Sequence, residues 1–225
     1  MTAKSTTPPR THHHTFSGTK PTVYDGRGDA RHRGDGIRSP TMTFDNADPA
    51  GAPALPPADD KDWTWVLAEA CPECGFDAAS LRREDLPARV RATAAGWPAR
   101  LAAEDARDRP APQVWSPLEY GCHVRDVLRL FAQRATLMLE QDDPRFANWD
   151  QDETAVADRY WEADPVLVGE QIVAGADGAA QVFARPQGAD WDRPGIRSNG
   201  SAFTVESLGA YFLHDLVHHE WDVRR

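Results

Sequence analysis

Apolar residues recur at helical spacing in four stretches of this chain. From about residue 85 to 103, Leu86, Val90, Ala94, Trp97 and Leu101 fall on one stripe, and Gly96 and Pro98 predict a kink or break within it. The second stretch has a defined start: Ser116 as N-cap, Pro117 at the first helical position and Glu119 completing a capping box. An apolar run through Val124, Val127, Leu128, Phe131, Leu137 and Met138 follows. Asp164 and Pro165 open the third, with Val168, Ile172, Ala176, Ala179 and Phe183 on its stripe and Pro186 closing it. Thr204 caps the fourth, which carries Leu208, Tyr211, His214 or Asp215, His218 and Trp221 along one face.

Four amphipathic helices with no strand pattern predict an all-α protein, a four-helix bundle over residues 85–225. The connections 142–163 and 187–203 are long and hold Trp149, Trp161 and Trp191 among Pro, Gly and Asp. They are expected to cover one end of the bundle. Residues 61–84 read as a small N-terminal lobe. Residues 1–60 are rich in Pro, Gly, Ser and Thr and bear too few large apolar side chains to offset the entropy of ordering. They are expected to form a disordered tail, with Met42 as a candidate internal start.

Charge narrows the partners. The net charge is −10, and residues 1–60 are balanced, so the surplus lies in residues 61–225. An acidic domain repels phosphate backbones and anionic lipid, which argues against nucleic-acid and membrane binding and for a small neutral or cationic ligand. No stretch reaches the roughly 20 continuous apolar residues a bilayer needs, and the first residues lack the apolar core of a signal peptide, so a cytoplasmic location is expected. Three cysteines are too few and too odd in number for a disulfide framework and are expected to remain thiols. The basic residues are nearly all arginine, as in proteins from GC-rich bacterial genomes.

The chemistry concentrates on histidine. His214 and His218, at i and i+4, share a helical face, so both imidazoles can reach one point. His123, two turns into the second helix, can supply a third ligand if the two helices are neighbours. Three histidines around one divalent ion leave a position for water or substrate, the layout of a catalytic site, and suit Zn²⁺, Ni²⁺ or another first-row ion. His219 lies about 100° from His218 on the helical wheel and is expected at the surface. The alternative for all three is that they are separate polar residues satisfied by backbone or water.

Other residues have double readings. Trp115, Tyr211 and Trp221 are candidate pocket walls. Trp149 and Asp150, in Trp149-Asp150-Gln151-Asp152, form either a turn with a buried tryptophan or a support in which Asp150 or Asp152 orients a metal-bound water or a ligating histidine. Glu119 has a similar ambiguity, although capping already accounts for it. Cys71 and Cys74, in Cys71-Pro72-Glu73-Cys74-Gly75, resemble one knuckle of a zinc ribbon. With no second Cys-x-x-Cys this is half a site, so the pair is a secondary candidate for a metal or a redox dithiol, and replacing both should leave metal content unchanged. Two copies of the chain could complete it, which makes a homodimer an open expectation.

The run from Trp115 to Val127, followed by the run from Tyr211 to Trp221, resembles the DinB-like (DinB/YfiT) family of bacterial metal-binding four-helix bundles. The resemblance covers about residues 80–225. It implies a divalent metal on His123, His214 and His218, and an activity in which the metal activates a low-molecular-weight thiol for S-transfer, or a related hydrolysis. The arginine-rich composition favours mycothiol as co-substrate. The rival expectation is a non-catalytic, metal-stabilised binding or sensor bundle.

Overall fold

The computed structural model describes residues 61–224 and, before them, residues 53, 54, 56 and 57. The expected tail therefore lies, but for those four positions, outside the described residues. Each of the four apolar stripes becomes a buried helix face. The first is split into α1 (Leu86–Ala94) and α2 (Trp97–Leu101). Pro98 cannot donate to the Ala94 carbonyl and its ring crowds it, which is why the stripe continues while the helix does not. All five stripe residues, Leu86, Val90, Ala94, Trp97 and Leu101, are buried.

The helix α3 (Pro117–Glu140) begins where its capping box is written. Glu119 N donates to Ser116 Oγ at 3.3 Å, and Ser116 N donates to Glu119 Oε2 at 2.9 Å, so two otherwise unpaired amides at the helix start are satisfied. The Glu119 carboxylate is buried, and the Arg109 guanidinium pairs with both of its oxygens, Nε donating to Oε2 at 2.8 Å. A short α4 (Gln151–Ala157) follows, capped by Asp150. Asp164 caps α5 (Pro165–Phe183), accepting from Val166 N and Leu167 N. Thr204 caps α6 (Val205–Asp222) in a second box with Ser207.

The helix α3 packs along α5 and α6, and α1 lies against α5 and α6 in turn. At the centre, Phe212 stands between Phe131 and Phe183, with ring centroids 5.2 and 5.5 Å away and planes within 17° of parallel. Gly209 lets α6 approach α1: a Cβ there would lie 2.4 Å from Leu86 Cδ2.

Three short strands were not expected. They are β1 (Arg145–Phe146), β2 (Pro194–Arg197) and β3 (Ala202–Thr204); β1 pairs parallel with β2, and β2 antiparallel with β3. Strands of two to four residues are too short for an alternating pattern to be visible in sequence. They stitch the two long connections together where α3 ends and α6 begins. Before the bundle, residues 61–85 hold three short 3₁₀ segments joined by irregular chain, Trp63–Leu67, Ala78–Ser80 and Arg83–Asp85, the first of which packs on α6. Among the described residues, no helix is long and apolar enough to cross a membrane.

Two stability changes are expected from this core. Phe212→Ala should cost about 3–5 kcal/mol in urea unfolding, because a ring stacked on both faces leaves a cavity its neighbours cannot fill. Arg109→Ala should cost about 1–3 kcal/mol by leaving the buried Glu119 carboxylate short of its cation. Adding Glu119→Gln should recover part of that loss, whereas a loss unchanged in the double variant would show that the charge is not its cause.

Candidate metal centres

Two ligand pairs sit on α6. His214 and His218 are one turn apart, and Asp215 and His219 repeat the spacing about 100° further round the helix. Because α6 packs against both the N-terminal turns and α3, the two pairs meet different partners.

On the N-terminal side, Cys71, Cys74, His214 and His218 each offer a ligand atom, all within 4.8 Å of one another. The cysteines are presented by a tight knuckle: Cys71 N donates to Phe76 O at 2.8 Å and Gly75 N to Cys71 O at 2.9 Å. Gly75 has φ +74°, a left-handed conformation that costs glycine little. Cys71 Sγ lies 3.7 Å from His218 Nδ1. The other nitrogen of that ring, Nε2, faces the carboxylates of Glu73 at 3.5 Å and Asp222 at 4.0 Å. The Trp63 ring packs on both imidazoles, at 5.7 Å from His214 and 5.2 Å from His218, and Phe76 meets His214 edge-on at 5.6 Å. Burial, with His218 as a neighbour, pushes His214 down to about 4, and burial also lowers His218. Burial lifts the Cys74 thiol to about 11, with Cys71 beside it adding to the rise.

On the α3 side, His123, Asp215 and His219 form a second group within the same limit. His123 Nε2 stands 3.5 Å and His219 Nε2 3.6 Å from Asp215 Oδ1. Both nitrogens of the buried His123 and Oδ1 of Asp215 are without a hydrogen-bond partner. Buried polar atoms are nearly always satisfied, and of these His123 Nε2 and Asp215 Oδ1 face one another, so a cation held between them would satisfy both. A tetrahedral first-row ion with bonds of about 2.1 Å has ligand-to-ligand edges of about 3.4 Å, close to the observed spacings, so these donors fit a metal. His219 Nδ1 donates to Asp222 Oδ2 at 3.0 Å, which directs the Nε2 lone pair towards Asp215. Burial keeps His123 neutral, below its usual range. Burial would raise Asp215, but His123 and His219 outweigh it and hold the carboxyl below the ordinary range.

Aromatic rings enclose this second group. Trp115 lies 5.5 Å from the His123 ring, and Trp149 stacks on it at 5.3 Å and 21°. A cleft of about 430 Å³ opens over it, walled by Trp115, Tyr120, Asp152 and Tyr211 with Asp215 and His219 at its side, and reaches the edge of the first group through His214 and His218.

The structure thus divides the three expected histidines between two groups. His214 and His218 do converge, but on Cys71 and Cys74, while His123 faces Asp215 and His219. His219, expected at the surface, is half-buried, its ring 4.7 Å from that of His123. The reason is helical: 100° separates two equally regular i,i+4 pairs, and the wheel alone does not say which one faces α3. The imidazoles that approach Cys71 and Cys74 come from α6, 140 or more positions later in the sequence, where no local spacing rule could find them.

The supporting residues also moved. Asp150 does not orient a histidine; its carboxylate accepts from Asp152 N and Glu153 N as the cap of α4. That supporting role falls to Asp222, which the sequence reading passed over. Glu119 is taken up by Ser116 and Arg109. Trp115 and Tyr211 line the cleft, and Trp221 packs against His218 at 5.4 Å. Trp149 Nε1 donates to Thr154 Oγ1 at 2.8 Å while its ring covers His123.

Comparison with known proteins agrees with this architecture. A search of the curated proteins finds no match. Among solved structures, the chain is similar to YfiT from Bacillus subtilis, described as a probable metal-dependent hydrolase with an unusual four-helix bundle topology. The TM-score is 0.51 at 17% identity, covering 64% of this chain and 82% of that one, a likeness of fold. The family profile described as the DinB superfamily matches residues 86–222, from the first residue of α1 to the last of α6. The chain belongs to the DinB superfamily.

Proposed function

We propose that this protein is a metal-dependent enzyme acting on a small molecule at His123, Asp215 and His219, and that the nucleophile it activates is a low-molecular-weight thiol. The carrying observation is the convergence of unsatisfied donors from α3 and α6 beside an open cleft. Two imidazoles and one carboxylate are a donor set used in catalytic rather than structural sites, because three protein ligands leave room for a reactant. A divalent ion held there supplies a Lewis acid that favours thiolate over thiol, or hydroxide over water, at neutral pH. The similarity in fold to a probable metal-dependent hydrolase supports the same class of chemistry.

The chain's own residues define the rest. Asp222 fixes the tautomer of His219. Trp115 and Trp149 shield His123 from water, which strengthens electrostatics at the centre. Glu73, Asp152 and Asp222 make the cleft wall acidic, with Lys61 the cationic side chain among its described lining. Such a wall repels anionic thiols such as glutathione and suits an uncharged, polyhydroxylated one of the mycothiol kind. In the reaction, the thiol sulfur bonds to an electrophilic carbon, the thiol proton passes to solvent, and the leaving group departs with the electrons of its bond to carbon.

Purified protein loaded with Zn²⁺, Ni²⁺ or Fe²⁺ in turn should conjugate an uncharged sugar thiol to an aryl chloride faster than it conjugates glutathione, with chloride released in step with thiol consumed. His123→Ala, Asp215→Ala and His219→Ala should each lower the rate to that of the uncatalysed reaction. Unchanged rates in these variants would overturn the assignment of the centre. Metal-dependent ester hydrolysis without thiol dependence would leave the centre in place and replace the thiol by water. Asp222→Asn should weaken metal affinity by about 10–100-fold in a metal titration, as loss of a carboxylate behind a ligating histidine does.

A further inference from the structure

We infer that Cys71, Cys74, His214 and His218 bind a zinc ion in a closed, structural site distinct from the His123, Asp215 and His219 centre. Four donors within 4.8 Å of one another complete a tetrahedron, leaving no position for substrate. With Zn–S of about 2.3 Å and Zn–N of about 2.0–2.1 Å, a tetrahedral sulfur-to-nitrogen edge is about 3.6 Å. Cys71 Sγ and His218 Nδ1 are 3.7 Å apart.

Three further observations point the same way. His214 Nε2 is buried without a hydrogen-bond partner. His218 turns Nδ1 to the cysteines and Nε2 to Glu73 and Asp222, and a carboxylate behind the second nitrogen is the usual support of a ligating imidazole. The knuckle, with Gly75 in its left-handed turn, brings both cysteines within 4.8 Å of the α6 imidazoles. Charge fits as well: two thiolates, two neutral imidazoles and Zn²⁺ sum to zero, which suits a pocket roofed by Trp63 and Phe76. Cys71 is only 2% exposed, which makes the pair a poor redox dithiol, since exchange needs an accessible thiolate.

The consequence is mechanical. The bundle proper begins at Leu86, and the zinc ties the turns of residues 63–76 to α6, the helix that also carries Asp215 and His219. Cross-linking segments so distant in sequence stabilises chiefly by restricting the unfolded chain. The site therefore holds one wall of the catalytic cleft, including Trp63 and Glu73, against the helix that bears the catalytic ligands.

The test uses the full chain, purified without an added tag and dialysed against a weak chelator. One zinc per chain should survive. Co²⁺ put in its place should give the near-ultraviolet thiolate-to-cobalt charge transfer and strong visible bands of a tetrahedral thiolate site. Cys71→Ser and Cys74→Ser should lose the charge-transfer band and the retained zinc, while His123→Ala should keep both, so that failure of the catalytic centre is read separately. If the serine variants do not fold, alkylation of the wild-type protein supplies the answer: iodoacetamide should modify Cys74, the more accessible of the two thiols, only after a strong chelator removes zinc. No charge transfer in the cobalt protein, or alkylation at the same rate with and without zinc, would overturn the site.

Discussion

Rotation of about 100° per residue along an α-helix is the constraint on which this molecule's chemistry depends. In α6 the sequence His-Asp-Leu-Val-His-His places two ligand pairs on adjacent faces, one aimed at the N-terminal knuckle and one at α3. A one-residue change in register would carry one pair onto the face of the other and turn that other pair away from both partners. That register is held by the apolar residues of the same helix: Leu208, Phe212 and Leu216 are buried, and Phe212 is clamped between Phe131 and Phe183. Packing thus decides which donors meet.

The two groups differ in the ways that separate structural from catalytic metal sites. One has four donors, two of them sulfur, under an aromatic roof. The other has three donors of nitrogen and oxygen beside a cleft. They share α6, and Asp222 stands behind both, 3.0 Å from His219 and 4.0 Å from His218. Their coupling runs through that helix: whatever fixes the knuckle against α6 also fixes the orientation of Asp215 and His219.

Much of the fold was legible because local rules decided it. Helix starts at Ser116, Asp164 and Thr204 follow from side chains that satisfy amides within three residues, and the break before Pro98 follows from a missing N–H. The buried stripes follow from periodicity. The site was legible only in part, because its decisive facts are non-local. Cys71 meets His218 across 147 positions, and His123 meets Asp215 across 92. Asp215 and His219 carried the same i,i+4 signal as His214 and His218, and a reading that weighed both pairs against both possible partners would have found the second centre. The small sheet was invisible for another reason, since strands of two to four residues carry no period.

The central claim is that α6 divides its ligands between two metal centres. A crystal structure of the zinc-loaded chain, with anomalous difference maps on either side of the zinc absorption edge, tests it most directly. The account predicts two peaks per chain, one bonded to Cys71, Cys74, His214 and His218, the other to His123, Asp215 and His219. A single peak bonded jointly to His123, His214 and His218, with Cys71 and Cys74 free of metal, would contradict it.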